Sequence, residues 1–521
     1  MDAPTVRLGH IKLALVTAVM YNHEIHQLDV CTAFLEVDLE EMIYMNLLQR
    51  YFHFLQNGNR YNYHRLKALQ KMVLCLGKPP YGLKQSSLMW CGTFKDFVTS
   101  IGFVALLIDS GLFILRDQDR VIVDATVDLY DHDFVIIFNC GLIGHSKDQM
   151  RNRFWMRDLG SVCFHFDMSI EPIWAHQTID IHQHSYPRTM MAMFTLDQSR
   201  SVAIQISIIL HKRMPNEEAC VQCTYQSVMG SLLYVMITTQ PDITNAIGVL
   251  SRKNCDWSNE HVVALNCVLL YLDWMKKFPL RFGRAVGGPL GCYVNSDYAG
   301  CLGENASTTG LVITCRGAVN CSSRKQMSTT HSTTDAQYSA FGVGCMRVTE
   351  ISHLLNELCI PTIPQEFFDS QSLIVSIKNL IYQDTAVAHL ATKYYLSADM
   401  ARDGEIDLSY IPTAEMRADC FTMPLPKPAI LKQRAAVGMI RIGLRNGLGI
   451  GIGNGFGNGI RKWIDWACII QGDRWCLIGF SFPFSTVLVW NGCNSRPGGV
   501  FCWLGVWISL CLGLWCNFPH L

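Results

Sequence analysis

The chain has 521 residues, of which half are apolar and 17% are charged. This length and composition predict a globular protein of two to four domains and exclude wholesale disorder. The 43 basic and 43 acidic side chains balance to a net charge of zero. The overall charge therefore gives no electrostatic indication of a nucleic-acid partner.

The first half of the chain predicts a helix, a strand and a hairpin. Ile11, Leu15 and Val19 recur at helical spacing. The run Glu24–Val30 is strand-like and carries Asp29 near its end. Residues 121–138 contain two β-rich runs around a polar centre, which predicts a hairpin with acidic residues at its tip.

The second half of the chain predicts helices followed by an alternation of strands and helices. Residues 225–238 and 260–276 carry apolar side chains at helical spacing. Residues 291–294 and 310–315 are strand-like, a helical run begins at Thr333, and Phe367 and Phe368 are again strand-like. This alternation is typical of an α/β domain.

The segment from Gly438 onward has a different composition. It holds six basic and two acidic residues, sixteen of the 39 glycines and seven of the 12 tryptophans. Its net charge of +4 leaves −4 for the rest of the chain. Residues 450–460 are of low complexity and cannot bury a core. The apolar stretch within 497–521 is a weak candidate for a membrane segment, and translated non-coding sequence is the alternative.

Cysteine is abundant, with 22 residues, but Met1–Arg7 shows no secretory signal. We therefore expect free thiols and a protein that is not secreted. Two short motifs could hold a metal ion, Cys220-x-x-Cys223 and His182-x-His184. Thiols and imidazoles are scattered through the chain, which favours ordinary structural roles for both motifs.

Two sets of acidic residues could support nucleotidyl-transfer chemistry. Such chemistry uses two divalent cations about 4 Å apart, held by carboxylates that are distant in sequence. Asp29, Asp131 and Asp133 form one candidate set, and Asp297, Asp335, Asp369 and Asp419 form another. On these residues alone, solvated acids at strand ends and turns are the alternative interpretation.

Longer motifs surround these acids and resemble those of copia-type LTR retrotransposons. Three blocks resemble the reverse transcriptase and the connection that follows it: 27–35 (QLDVCTAFL), 81–86 (YGLKQS) and 225–234 (YQSVMGSLLY). Four more resemble the family's ribonuclease H: 296–300 (SDYAG), 307–310 (STTG), 332–338 (STTDAQY) and 369–372 (DSQS). The resemblance is collinear from about residue 3 to residue 437.

The resemblance implies an α/β and α+β fold in which a partial reverse-transcriptase palm and thumb precede an RNase H-like α/β domain. It implies a partial reverse transcriptase without fingers in residues 1–170 and a thumb and connection in 171–286. The RNase H-like domain is expected in 287–437, and a disordered tail in 438–521.

The resemblance also implies a function. It is that of an RNA-directed DNA polymerase with ribonuclease H, acting on an RNA template, a DNA primer and an RNA–DNA hybrid. Two Mg²⁺ ions per active site are expected, with Mn²⁺ as a substitute. The family places such a protein inside the cell, either in cytoplasmic virus-like particles or in the nucleus, and leaves its oligomeric state open.

Family roles in the palm fall on four residues. Asp29 matches the first metal-binding Asp. Phe34 matches the aromatic that excludes a ribose 2′-hydroxyl, with a plain core aromatic as the alternative. Gln85 lies in the block that contacts template and incoming nucleotide, and Asp133 matches the second Asp of the family's Tyr-Val-Asp-Asp turn.

The first Asp of that turn is replaced by His132. Neutral imidazole is a poor Mg²⁺ ligand and brings no negative charge. An alternative register uses Asp128 instead but loses the second acid. Either register leaves the polymerase site one carboxylate short, so we expect polymerase activity to be impaired by His132 and by the missing fingers.

The ribonuclease H set also departs from the family. Asp369 and Asp419 match two metal-binding acids, and Asp297 matches one member of an Asp-x-Asp pair whose other member is Asn295. Asp335 stands where the family has Glu, and Gln337 replaces a second Glu. If the ligands fall at Asn295 and Gln337, two of the four carboxylates are lost. The alternative function is therefore a catalytically dead remnant that at most binds nucleic acid.

Overall fold

The computed structural model describes residues 6–46, 73–81, 83–116, 123–130, 133–139, 143–193, 222–284, 286, 288–301, 305–327, 330, 332–379 and 392–441. The chain divides into two compact units, Met1–Arg445 and Asn446–Leu521. All described residues belong to the first unit. The predictions for Asp131, His132 and the tail beyond residue 441 lie outside the described residues.

The N-terminal part is an antiparallel sheet flanked by helices. The sheet has the order β4–β5–β6–β7–β1–β8, and β2 pairs with β3 separately. The predicted first helix, first strand and hairpin are all confirmed. Their bounds, with those of the neighbouring elements, are α1 Leu8–Tyr21, β1 Glu24–Val30, β2 Ile43–Asn46, β3 Val73–Leu76, α2 Lys84–Ser100, β4 Val104–Ala105, β5 Leu112–Arg116, β6 Val123–Tyr130, β7 Asp133–Phe138, α3 Ile143–Arg153 and β8 Met156–Ser161.

One face of this sheet is covered by an aromatic core. Leu28 of β1 and Phe134 of β7 are buried there together with Trp90 and Phe94 of α2. The rings of Phe94 and Phe134 stack with centroids 4.3 Å apart. Because side chains alternate along a strand, the neighbours of Leu28 and Phe134 face the opposite side of the sheet. The alternation therefore places Asp29 and Asp133 on the face away from this core.

A second sheet and a group of helices follow. The sheet has the order β12–β11–β10–β9. Both predicted helices, 225–238 and 260–276, are confirmed to within three residues. The bounds are β9 Phe164–His165, β10 Met168–Ile173, β11 Thr178–His182, α4 Tyr186–Met193, α5 Gln222–Thr238, α6 Thr244–Ser251, α7 Asn259–Met275 and β12 Leu280–Gly283. Strand β10 crosses residue 170, the boundary expected between polymerase and connection, and that boundary stays a prediction.

The third part is a mixed sheet covered by helices, which confirms the predicted α/β class. The sheet has the order β15–β14–β13–β16–β17; β15, β14 and β13 are antiparallel, and β16 and β17 are parallel to β13. The bounds are β13 Gly291–Cys301, β14 Ala306–Thr314, β15 Ala318–Lys325, α8 Thr333–Glu357, β16 Gln365–Phe368, α9 Gln371–Asn379, α10 Thr392–Arg402, β17 Asp407–Tyr410, α11 Asp419–Thr422 and α12 Lys427–Ala436.

Helix α1 and two polar contacts join the three parts. Ten residues of α1 are buried, and its apolar side chains share one core cluster with the second and third sheets. The carboxylate of Glu357 accepts from the backbone N–H of Leu107 at 3.0 Å. Arg434 of α12 donates to Asp242 at 3.0 Å in a buried ion pair. The polymerase part, the connection and the third domain therefore share one interior.

Two further expectations can be checked on the described residues. The cysteines among them are free thiols, as expected. No helix in these ranges combines the length and the apolar character that a membrane crossing requires.

Candidate active sites

The palm brings Asp29 and Asp133 together. Asp29 in β1 lies directly opposite Asp133, the first residue of β7, in the antiparallel register. The Cα atoms of such partners lie about 5 Å apart, and their side chains leave the same face of the sheet. Asp128, the acid of the alternative register, lies in β6, one strand further from β1. Its partner in β7 is Val135. Asp133 is therefore the acid that lies directly opposite Asp29, and its role as a metal ligand stays a prediction.

A cation lies on the other side of Asp29. Arg157 of β8 is the partner of Asp29 in the register between β1 and β8. The three strands thus place Asp133, Asp29 and Arg157 in one row across the sheet. Arg157 is exposed, and Trp155 and Leu159, two positions away on either side, are 66% and 52% exposed. Sequence reasoning missed Arg157, because residues 155–159 (WMRDL) show no regular alternation of polar and apolar side chains.

Phe34 and Gln85 lie at the edge of the aromatic core. Phe34 belongs to a 3₁₀ turn, Ala33–Glu36, and is only 3% exposed. Its ring centroid lies 4.6 Å from that of Tyr81, in the loop before α2. Gln85 is half-buried in the first turn of α2. Phe34 is thus a core aromatic that also contacts the loop predicted to meet template and nucleotide.

The third domain brings together Asn295, Asp369 and Asp419. Asn295 Nδ2 donates to Asp419 Oδ1 at 2.7 Å. Burial, with the nearby charge of Asp369, raises the pKa of Asp419 to about 6, and the bond from Asn295 opposes that rise. Asp369 accepts from Thr413 Oγ1 at 3.2 Å. Asn295, rather than Asp297, is therefore the member of the Asn-x-Asp pair that faces the other acids.

Asp297 and Asp335 have surroundings of their own. Burial raises the pKa of Asp297, and the charge of Arg252 opposes that rise. Asp335 is half-buried in the first turn of α8, and its backbone N–H donates to Ser332 Oγ at 3.1 Å. Across the described ranges, no group of three or more His, Cys, Asp or Glu side chains is arranged to hold a metal ion.

Of the two short metal-motif candidates, only His182-x-His184 lies within the described residues, and no metal-binding group is found there. The rings of His182 and His184 stack 3.5 Å apart, and His182 Nε2 lies 3.1 Å from Glu171 Oε1. Burial and the neighbouring His182 lower the pKa of His184 to about 4. Cys220 lies outside the described residues, as does the side chain of Cys223.

Comparisons with known proteins show similarity to reverse transcriptases and to Pol polyproteins of plant transposons. The family model described as "Reverse transcriptase (RNA-dependent DNA polymerase)" matches residues 1–208. The chain is 28% identical over 447 residues to the "Retrovirus-related Pol polyprotein from transposon TNT 1-94" of Nicotiana tabacum, covering 84% of this chain and 32% of that protein. It is 25% identical over 450 residues to the Pol polyprotein from transposon RE2 of Arabidopsis thaliana, covering 84% of this chain and 29% of that protein.

Solved structures give a weaker likeness. The foamy viral protease-reverse transcriptase in complex with RNA/DNA hybrid aligns with a TM-score of 0.41 and 9% identity, over 82% of this chain and 47% of that one. The chain spans about a third of the length of the curated relatives it matches. Over most of its length, the chain is therefore similar to retrovirus-related Pol polyproteins from plant transposons, and its residues 1–208 match the reverse-transcriptase model.

Proposed function

We propose that this chain acts as an RNA-directed DNA polymerase with ribonuclease H, and that both sites work below the family's capacity. Its partners are an RNA template, a DNA primer and an RNA–DNA hybrid, and its cofactor is Mg²⁺, with Mn²⁺ as a substitute. The observation that supports the proposal most is the register that sets Asp29 opposite Asp133.

In the palm, Asp29 and Asp133 would hold a divalent cation. A cation held there would supply a positive charge for the attacking primer hydroxyl, and in two-metal chemistry a second ion would stabilise the leaving phosphates. Arg157, next in the row, offers a positive charge to a backbone phosphate. The exposed face of Trp155 can stack on a base or sugar. A second cation lacks its family ligand, because His132 stands in place of the first Asp of the turn.

In the third domain, Asp369 and Asp419 would be the principal ligands, with Asp335 of α8 beside them in the family pattern. Asn295 supplies a neutral amide where a carboxylate would complete the set. Its bond to Asp419 occupies a carboxylate oxygen that a cation would need. Hybrid binding needs only the surface, whereas hydrolysis needs the metal set, so we expect binding to outlast cleavage.

Primer extension by the full chain on an RNA template tests the palm proposal. The His132→Asp variant should extend a primer about 100-fold faster than the native chain, the range for restoring one preorganised charge in an active site. Adding Asp29→Asn to that variant should remove the gain. Extension that is unchanged by His132→Asp in both Mg²⁺ and Mn²⁺ would overturn this account of the site.

A second candidate function is nucleic-acid binding without catalysis, and the Asn295–Asp419 bond favours it. Under this alternative, the native chain binds an RNA–DNA hybrid with salt-dependent affinity but gives neither extension nor cleavage. A gel-shift titration across salt concentrations, run beside both activity assays, separates the two functions. Measurable native activity that Asp29→Asn abolishes supports the enzyme, and binding alone supports the remnant.

A further inference from the structure

Asp419 lies on a very short helix whose backbone is held by one side chain at two points. Gln433 of α12 is 7% exposed. Its Oε1 accepts from the backbone N–H of Cys420 at 3.1 Å, and its Nε2 donates to the carbonyl of Met416 at 2.8 Å. These two bonds bracket Asp419, one before it in the chain and one directly after it.

The connection supplies a third point of support. Asn245 of α6 is 5% exposed, and its Nδ2 donates to the carbonyl of Phe421 at 3.2 Å. Three residues earlier, Asp242 forms the buried ion pair with Arg434, the neighbour of Gln433. The connection and α12 therefore contact each other, and both form hydrogen bonds with the segment around α11.

Helix α11 also packs closely against β14 at Gly310. A Cβ added at Gly310 would come within 2.6 Å of Thr422 Cγ2 and 2.9 Å of the carbonyl oxygen of Ala418, so only glycine allows this approach. An isolated four-residue helix has almost no stability of its own, because helix nucleation is unfavourable. The position of Asp419 therefore depends on what surrounds α11.

We propose that Gln433 and Asn245 are positioning residues for Asp419, so that the connection completes the ribonuclease H site of this chain. The proposal rests on the proposed function of that site. Ligands must hold their geometry to within about 0.5 Å, and partners of ligands commonly change metal affinity 10- to 100-fold when they are lost. The hydrogen bonds of both side chains to this segment go to backbone atoms rather than to the carboxylate, so they act on where the carboxylate lies.

Hydrogen exchange on the full chain tests whether Gln433 and Asn245 hold the backbone around Asp419, and it does not require activity. Gln433→Met keeps the bulk of the side chain but removes both bonds, and Asn245→Ala removes one. The exchange rate of the Cys420 N–H should rise about tenfold or more in Gln433→Met, because a buried donor loses its partner. The matched control is Ser352→Ala, which removes a bond from Ser352 Oγ to the carbonyl of Thr362 at the far end of the same domain.

Metal affinity tests the consequence for the site. In an Asn295→Asp background, adding Gln433→Met or Asn245→Ala should weaken Mn²⁺ binding about tenfold at a temperature where every variant is folded, and Ser352→Ala should leave it unchanged. If exchange at residues 419–422 and Mn²⁺ affinity both match the control, the proposal is overturned. If Asn295→Asp binds no Mn²⁺, the proposed nuclease site is wrong. The exchange result still decides whether Gln433 and Asn245 hold the backbone around Asp419. If Gln433→Met does not fold, Asn245→Ala decides both measurements.

Discussion

The two proposed acid sites of this protein differ in where the expected carboxylate is replaced. In the palm, Asp29 and Asp133 face each other from adjacent strands and are only half-buried, and the proposed substitution is His132, which precedes Asp133 in the sequence. In the third domain, the substitution lies inside the sheet at Asn295, which donates to Asp419, itself 8% exposed. Buried polar groups must find partners. The amide at position 295 has therefore become part of a structural hydrogen bond, whereas Asp29 and Asp133 lie opposite each other in the strand register.

This difference has a consequence for repair. Restoring an acid to the palm adds a ligand beside two carboxylates that already face each other. Restoring an acid at position 295 also removes the donor that satisfies Asp419 and brings three carboxylates together. The palm should accept repair at little cost in stability, whereas repair of the third domain should make its stability depend on metal.

The largest expected effect is that of Asn295→Asp. The variant should cleave an RNA–DNA hybrid about 100-fold faster than the native chain in Mg²⁺ or Mn²⁺. Without metal at pH 8, its free energy of unfolding should fall by about 1–3 kcal/mol, because a buried hydrogen bond is replaced by like charges. Millimolar Mg²⁺ should restore that loss, since a ligand that binds only the folded state stabilises it.

Denaturant unfolding with and without Mg²⁺, beside a cleavage assay, checks this prediction. Asp297→Asn is the matched control, because Asp297 interacts with Arg252 rather than with Asp419. Metal-independent stability in Asn295→Asp would break the contrast between the two sites. Equal losses of metal-free stability on restoring an acid at 295 and at 132 would show that the two sites do not differ in this respect.

The sequence predicted the helices and strands better than it predicted the contacts between them in the interior. Periodicity was sufficient for α1, β1, the β6–β7 hairpin and the α/β alternation of the third domain, because each has a regular apolar pattern. Motif order was sufficient to pair Asp29 with Asp133. It could not decide between Asn295 and Asp297, because both lie on one side of β13 and only the position of α11 distinguishes them. The roles of Asn245 and Gln433 depend on contacts between distant segments, which no local pattern reveals.

A buried acid in the third domain gives the next effect in size. Glu366 in β16 is fully buried, and its Oε2 accepts from the thiol of Cys345 at 3.1 Å. Burial holds the pKa of Glu366 well above its usual value. Glu366→Leu should raise the free energy of unfolding at pH 7 by about 1–3 kcal/mol, the cost of burying a poorly paired polar group.

The pH dependence of that gain follows from the sign of the shift. A carboxyl whose pKa is raised on folding contributes stability that is present below its unfolded pKa and is lost as pH rises. The advantage of Glu366→Leu should therefore grow as pH rises from about 4.5. An advantage that is constant between pH 4 and pH 8 would contradict it. We expect a poorly paired polar residue in this interior to lower the free energy of unfolding. The same reasoning distinguishes the substitution at Asn295 from that at His132.

The smallest effect is expected at Lys12 of α1, the helix that shares a core with the second and third sheets. Lys12 is 4% exposed, and its Nζ donates to the carbonyl of Ile237 at 2.8 Å. Burial lowers the pKa of Lys12 to about 8, against a small opposing influence of Cys321. Because the folded chain releases this proton before the unfolded chain does, the stability from Lys12 rises as pH passes from about 8 toward 10.5. Between pH 7 and pH 9, the native chain should gain about 1 kcal/mol relative to Lys12→Met. Free energies of unfolding that change in parallel for the two proteins over that interval would contradict this prediction.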